Sequence, residues 1–204
     1  MWEASIHGFL LALGLILPLG AQNLFIFTQG AYQTRLIRAL PSVITAAVCD
    51  TLMVALAVLG ISVVVFKFVW LQTMLFGMGS VFLLYMGWAI WNRGPSNGQA
   101  GEAKLYSARK QVVLAVSASL LNPHAILDMI AVIGMNSLRY SGMEKVAFTG
   151  AVISVSWLWF IGLAVAGRML GRLDPTGSWM RTINKCSAVL IWGTVLYMGW
   201  QLLR

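Results

Sequence analysis

Apolar residues along this chain fall into six long blocks, at about residues 5–27, 41–65, 68–91, 111–135, 146–170 and 186–203. Each is close to the roughly 20 residues that an α-helix needs to cross a bilayer at about 1.5 Å per residue. Strands of a membrane barrel are about 10 residues long with strict alternation, a pattern these blocks lack. The periodicity therefore predicts an all-α membrane protein with six transmembrane helices in one domain, residues 1–204. One stretch, residues 92–110, has no apolar periodicity and is rich in Gly, Ser, Asn, Gln and charge. It reads as a flexible connector between a first half, about 1–91, and a second, about 111–204.

Composition agrees: 59% of residues are hydrophobic and 10% charged, too apolar a balance for a soluble domain of this size. The opening "MWEASIHGF" has no positive leading region and carries Glu3, so it reads as the start of the first span and not as a cleaved signal. Ten of the 14 Lys and Arg residues fall in the first, third and fifth connections or at their edges. The positive-inside rule makes those connections cytoplasmic and puts both termini outside. The net charge of +8 has the same origin, basic residues flanking helices and meeting anionic headgroups. Nucleic acid is not an expected partner, because no soluble basic domain exists to bind it. A homo-oligomer is compatible with this composition.

The two cysteines, Cys49 and Cys186, are isolated and read as buried structural thiols; His7 and His124 are too far apart in sequence to suggest a metal site, and no metal or cofactor is expected. The acids carry more. Glu3, Glu102, Glu144 and Asp174 lie in tails or connections, whereas Asp50 and Asp128 lie inside apolar blocks. A carboxylate at membrane depth costs at least about 2.5–3.5 kcal/mol on insertion scales, so such residues pair with something or line a polar path. Around Asp50, the small and apolar residues Ala46, Ala47, Val54 and Ala57 at helical spacing predict a packed face directed into the bundle.

Asp128 follows a break. Pro123 disfavours helix at Asn122, so a helix ends there and a half-helix begins, with Asn122 suited to capping it. Pro18 and Gly20, followed by Gln22 and Asn23, interrupt the first block in the same way. Superposing Pro18 on Pro123 sets Asn23 over Asp128. The breaks thus occupy the first and fourth helices, matching members of two three-helix halves. An odd number of crossings per half makes the second half inverted, the architecture of many secondary transporters, with the substrate site at paired helix breaks. A half-helix amino end would receive a substrate carboxylate, and an aspartate a cationic group.

These residues also carry a family resemblance. "LPLGAQNLFIFTQG" (17–30), "AAVCDTLMVALAVLG" (46–60), "GSVFLLYMGWAIW" (79–91), "LLNPHAILDMIAVIG" (120–134) and "ISVSWLWFIGLAV" (153–165) resemble the LysE family of amino-acid exporters, and its lysine- and arginine-exporting branch in particular. Ala21 departs from the family, which usually has a second proline there. The resemblance implies an inner-membrane carrier that moves arginine or lysine outward, driven by the proton motive force. Asp50 and Asp128 are then candidates to meet the cation or the exchanged proton. Gln22, Asn23 and Asn122 are candidates to hydrogen-bond the polar ends of the substrate, and His124 to relay protons; Pro18, Gly20 and Pro123 shape the breaks. Three alternatives stand beside this one: a neutral amino-acid exporter, a passive channel lined by the acids, and an intramembrane aspartyl protease, which needs two aspartates on separate helices. Cys49 before Asp50 and Leu127 before Asp128 do not match the Tyr-Asp and Gly-x-Gly-Asp patterns of that protease class.

Overall fold

The computed structural model describes residues 1–17, 20–60, 69–92, 106–122, 126, 129–174 and 177–202. Every regular element among them is helical. In chain order they are α1 (Trp2–Ile16), α2 (Ala21–Tyr32), a 3₁₀ turn (Leu36–Ala39), α3 (Leu40–Val58), α4 (Val69–Trp91), α5 (Ala108–Leu120), a π-helical stretch (Met129–Gly134) running into a single turn (Met135–Ser137), α6 (Gly142–Leu173) and α7 (Ser178–Leu202).

The first apolar block is two helices, α1 and α2, meeting at 81°. Helix α1 ends at Ile16, and Leu17 after it still has helical angles, φ −58° and ψ −39°, its N–H donating to the Leu13 carbonyl at 3.1 Å. Gly20 is extended, at φ −78° and ψ 175°, and its carbonyl accepts the first bond of α2 from the Leu24 N–H at 3.1 Å. Ala21, lacking the family's second proline, begins α2, and the bend survives without it. Asn23 reaches back across the bend, its Nδ2 donating to the Ile16 carbonyl at 2.7 Å, so that one of the open acceptors at the end of α1 is met.

Other boundaries have local causes. Pro41 lies in the first turn of α3, where its missing donor is not needed. The Ser107 hydroxyl accepts from Lys110 N–H at 3.4 Å at the start of α5. Both carboxylate oxygens of Asp174 cap α7, accepting from Ser178 N–H at 3.1 Å and Met180 N–H at 3.0 Å.

Packing centres on α6, whose 32 residues rise about 48 Å. Helices α1, α2 and α3 all pack against it; α3 also packs on α5 and the π-helical stretch, and α4 on α7. Contact between α2 and α6 is backbone to backbone. A Cβ on Gly30 would strike the Ala164 main chain, and one on Gly167 the Phe27 carbonyl. Small residues permit this approach, which is how helices associate where lipid removes the hydrophobic drive. Helix α2 is consequently buried on nearly every side.

The outward surface is apolar: Leu52, Leu56, Leu158, Met169 and Leu190 are all exposed. Two helices, Leu36–Val58 and Gly142–Leu173, are each long and apolar enough to cross a membrane, and the bent α1–α2 pair passes the same test as one unit. This is a multi-pass helical membrane protein. Cys186, expected to be buried, is exposed on α7, while Cys49 is buried as expected. Its neighbours Lys185, Val189 and Leu190 are exposed with it, so this part of α7 turns outward.

Candidate functional site

Two apolar clusters make up the core. One gathers Phe25, Ile26, Ala46, Ala47 and Phe160; the other gathers Ala12, Val54, Ile133, Phe148 and Val155. The polar residues Asp50, Gln22 and Ser156 lie between them along α2, α3 and α6.

Asp50 is near the middle of α3 and 4% exposed. The face predicted around it is buried: Ala46, Ala47, Val54 and Ala57 are all sealed from the surface. Gln22, in the first turn of α2, donates its Nε2 hydrogen to Asp50 Oδ1 at 3.2 Å. Ser156 of α6 brings its hydroxyl to the same carboxyl. One residue further along each helix, Trp157 Nε1 donates to Thr51 Oγ1 at 3.2 Å. Asp50 thus meets neutral donors from two other helices and, among the described residues, forms no ion pair. A buried charge without a countercharge is strongly unfavourable, so charge balance here calls for a proton or a cationic guest.

Of the other residues singled out from sequence, Asn23 holds the bend as described above. Asn122 is half-buried two residues past the end of α5, and its carbonyl accepts from Ile126 N–H at 3.1 Å. Asp128, His124, Pro123 and Pro18 lie outside the described residues. Among those that are described, no group of three or more His, Cys, Asp or Glu side chains is placed to hold a metal.

A second polar junction closes one end of α2. Gln33 Nε2 donates to the Tyr106 carbonyl at 3.1 Å, and Gln111 Nε2 donates to that carbonyl at 3.0 Å and to the Arg38 carbonyl at 2.9 Å. The Arg168 guanidinium binds the Gln33 and Thr34 carbonyls, Nη1 at 2.6 Å and Nη2 at 2.5 Å. Beside this junction a cavity of about 10 Å³, lined by residues including Phe25, Met86, Tyr106 and Leu114, is apolar. Sequence reasoning overlooked Ser156, Thr51, Gln33 and Gln111. Ser156 had a usable signal, since it sits 106 residues after Asp50, one step from the offset that superposes the two prolines.

The family model described as LysE type translocator matches residues 13–203. The chain is 53% identical to "Putative amino-acid transporter YisU" of Bacillus subtilis, over 97% of this chain and 89% of that one. It is 29% identical to "Arginine exporter protein ArgO" of Serratia proteamaculans, over 98% of both chains, and 31% identical to the protein of that name from Salmonella paratyphi A, over 91% and 88%. No solved structure matches the chain.

Proposed function

The chain belongs to the family of LysE type translocators, and we propose that it is a secondary carrier exporting a cationic amino acid, arginine or lysine, whose side-chain cation is received by Asp50. Family membership makes it a transporter of amino acids and not an enzyme, which removes the protease alternative. One observation carries the finer reading. Asp50 is sealed between two apolar clusters with only neutral hydrogen-bond donors around it, so its charge is satisfied by what passes through. The name of the arginine exporters that the chain resembles agrees with a cationic guest. Asp128, from sequence, is the second acid of the proposal. A proton taking the cation's place at Asp50 couples export to the proton motive force, because the site is neutral with either occupant and costly with neither.

The packing supports an inverted repeat. Helices α1 and α2 lie on α6, while α5 and the π-helical stretch lie on α3, so the first helix of each half meets the second helix of the other; the third helices, α4 and α7, meet each other. Residues near a twofold axis touch their own counterparts. Thr51 and Trp157 are hydrogen-bonded at a separation of 106, Asp50 and Ser156 meet at the same separation, and Gly87 faces Trp192 at 105. That axis would pass beside Asp50, where a repeat transporter places its substrate. Closed packing around Gln22 and Asp50, 8% and 4% exposed, favours a carrier over a standing pore. The bias of basic residues puts the Gln33–Tyr106 end in the cytoplasm.

The test is counterflow of radiolabelled arginine into liposomes containing the purified chain. Wild type shows saturable exchange, inhibited by lysine and unaffected by neutral amino acids, and Asp50→Asn loses it by tenfold or more. Equal inhibition by leucine, or full exchange in Asp50→Asn, overturns the assignment. An unsaturable flux would make the protein a channel.

A further inference from the structure

Three glutamines share one face of α2, the last of them being the residue that caps its end. At about 100° per residue, Gln29 and Gln33 fall within roughly 20° of Gln22 around the helix. All three are buried, at 8%, 1% and 3% exposure in the order 22, 29, 33. The outer two have partners: Gln22 donates to Asp50, and Gln33 to the Tyr106 carbonyl. The middle one does not. Gln29 Nε2 is sealed from the surface and has no hydrogen-bond acceptor among the described residues.

A buried amide N–H without an acceptor is uncommon in native proteins and marks a bound water, a ligand or a function. Its position narrows the choice. Gln29 lies seven residues after Gln22, a rise of about 10.5 Å, and helical side chains lean toward the amino end, here toward the Gln22–Asp50 pair. A basic amino acid with a stem of three or four methylenes holds its carboxylate roughly 7 Å from its terminal cation, from bonds of about 1.5 Å. The guest proposed for Asp50 therefore carries an acceptor-only group, and α2 offers an unused donor on the same face, about two turns from the Gln22–Asp50 pair.

We propose that Gln29 is the subsite for the substrate's α-carboxylate. With the side-chain cation on Asp50, the carboxylate accepts the Gln29 Nε2 hydrogen, a charge-assisted bond stronger than one to a neutral acceptor. This sets the carboxylate two turns along α2 and not at the half-helix amino end expected from sequence, because the side chain beside that end, Gln22, is already committed to Asp50. The pair of sites makes the carrier a gauge of length: a cationic amino acid with a short stem cannot reach both. The inference rests on the Asp50 assignment and adds to it the feature that distinguishes an amino acid from a simple amine.

Competition against labelled arginine in the liposome exchange assay tests it, with two unlabelled probes: arginine, and agmatine, which is arginine without its carboxylate. In wild type, arginine competes about tenfold or more better than agmatine, the range for a hydrogen bond to a charged group. Gln29→Met, which keeps the volume and removes the donor, weakens arginine about tenfold and leaves agmatine within about twofold. Gln29→Glu weakens arginine further, by repulsion, and spares agmatine. An unchanged ratio of arginine to agmatine in Gln29→Met overturns the proposal and leaves the amide to a water. Loss of both ligands in both variants, with Gln29→Asn failing to restore the preference for arginine, assigns Gln29 to packing and overturns it too. Failure of the underlying assignment looks different: wild type then shows no saturable exchange of labelled arginine, or Asp50→Asn exchanges it normally.

Discussion

Trp157 and Thr51, on α6 and α3, are joined by an indole-to-hydroxyl hydrogen bond of 3.2 Å one residue beyond the meeting of Ser156 with Asp50. The Thr51 hydroxyl donates in turn to the Ala47 carbonyl at 2.7 Å, so the indole is tied to the α3 backbone through one side chain. Helices that otherwise meet through apolar side chains can slide, and this bond fixes their register where the acid must find its donors. Trp157→Phe keeps the ring and removes the donor. It should lower stability by about 1 kcal/mol, read as a lower thermal midpoint in detergent, and reduce arginine exchange without abolishing it. An unchanged midpoint and rate would show that register is held elsewhere.

Gly30 and Gly167 should tolerate no side chain. Gly30→Ala sets a methyl into the Ala164 main chain, and neither partner is a flexible side-chain end that could move aside. Overpacking of this kind costs about 1–3 kcal/mol or more, so Gly30→Ala and Gly167→Ala should lose most of the monodisperse protein in size-exclusion chromatography. Gly14→Ala is the control. Nothing lies within 4 Å of a Cβ there, and in mid-helix the exchange should stabilise by about 0.5–1 kcal/mol.

Arg168, on another helix, ties down the chain just past α2. Its guanidinium meets two carbonyls, Gln33 and Thr34, where the chain leaves the helix. Lysine keeps the charge but not the planar fork. Arg168→Lys should therefore be destabilised by about 1–2 kcal/mol, nearly as much as Arg168→Ala. Because the partners are carbonyls and not carboxylates, raising salt from low to high concentration should move the wild-type midpoint little. A large salt effect would mean that the arginine acts through an ion pair.

Asp174→Ala removes the acceptor for Ser178 and Met180 N–H at the start of α7. The loss of a helix cap costs about 1 kcal/mol, and Asp174→Asn should recover part of it. Arginine exchange per folded molecule should stay at the wild-type value, since this acid is remote from Asp50. A transport defect in a normally folded Asp174→Ala would give the residue a role beyond capping.

The cysteines offer a probe of the packing itself. In detergent, a small maleimide should label Cys186 quickly and Cys49 only after denaturation, as tested with the two single serine variants. Rapid labelling of native Cys49 would show that the Asp50 face opens to solvent at rest.

Much of this was visible in the residues alone. The apolar blocks, the interruption near Pro18 and the inward face of Asp50 follow from spacing, because a helix 1.5 Å per residue long must bury or solvate whatever its period presents. The face of Asp50 was legible because the alanines around it leave a neighbouring helix room to approach. Gln22 could be named as polar and close to the break, but its partner could not, since a separation of 28 positions between Gln22 and Asp50 carries no local signal of contact. Asn23 shows the same limit: the bond from its amide to the Ile16 carbonyl across the bend has no signal in the spacing of the residues.

By itself, the sequence determined that this is a helical membrane protein, that its first helix breaks, and that an acid stands in its interior; burying a carboxylate in lipid is too costly for the pattern to mean anything else. Which groups meet that acid was decided only in three dimensions. Gln22 and Ser156 reach Asp50 because Gly30 and Gly167 let α2 and α6 close to backbone contact, and because an 81° bend swings α2 across the bundle. Those are properties of helices against helices, and no periodicity within a single helix encodes them.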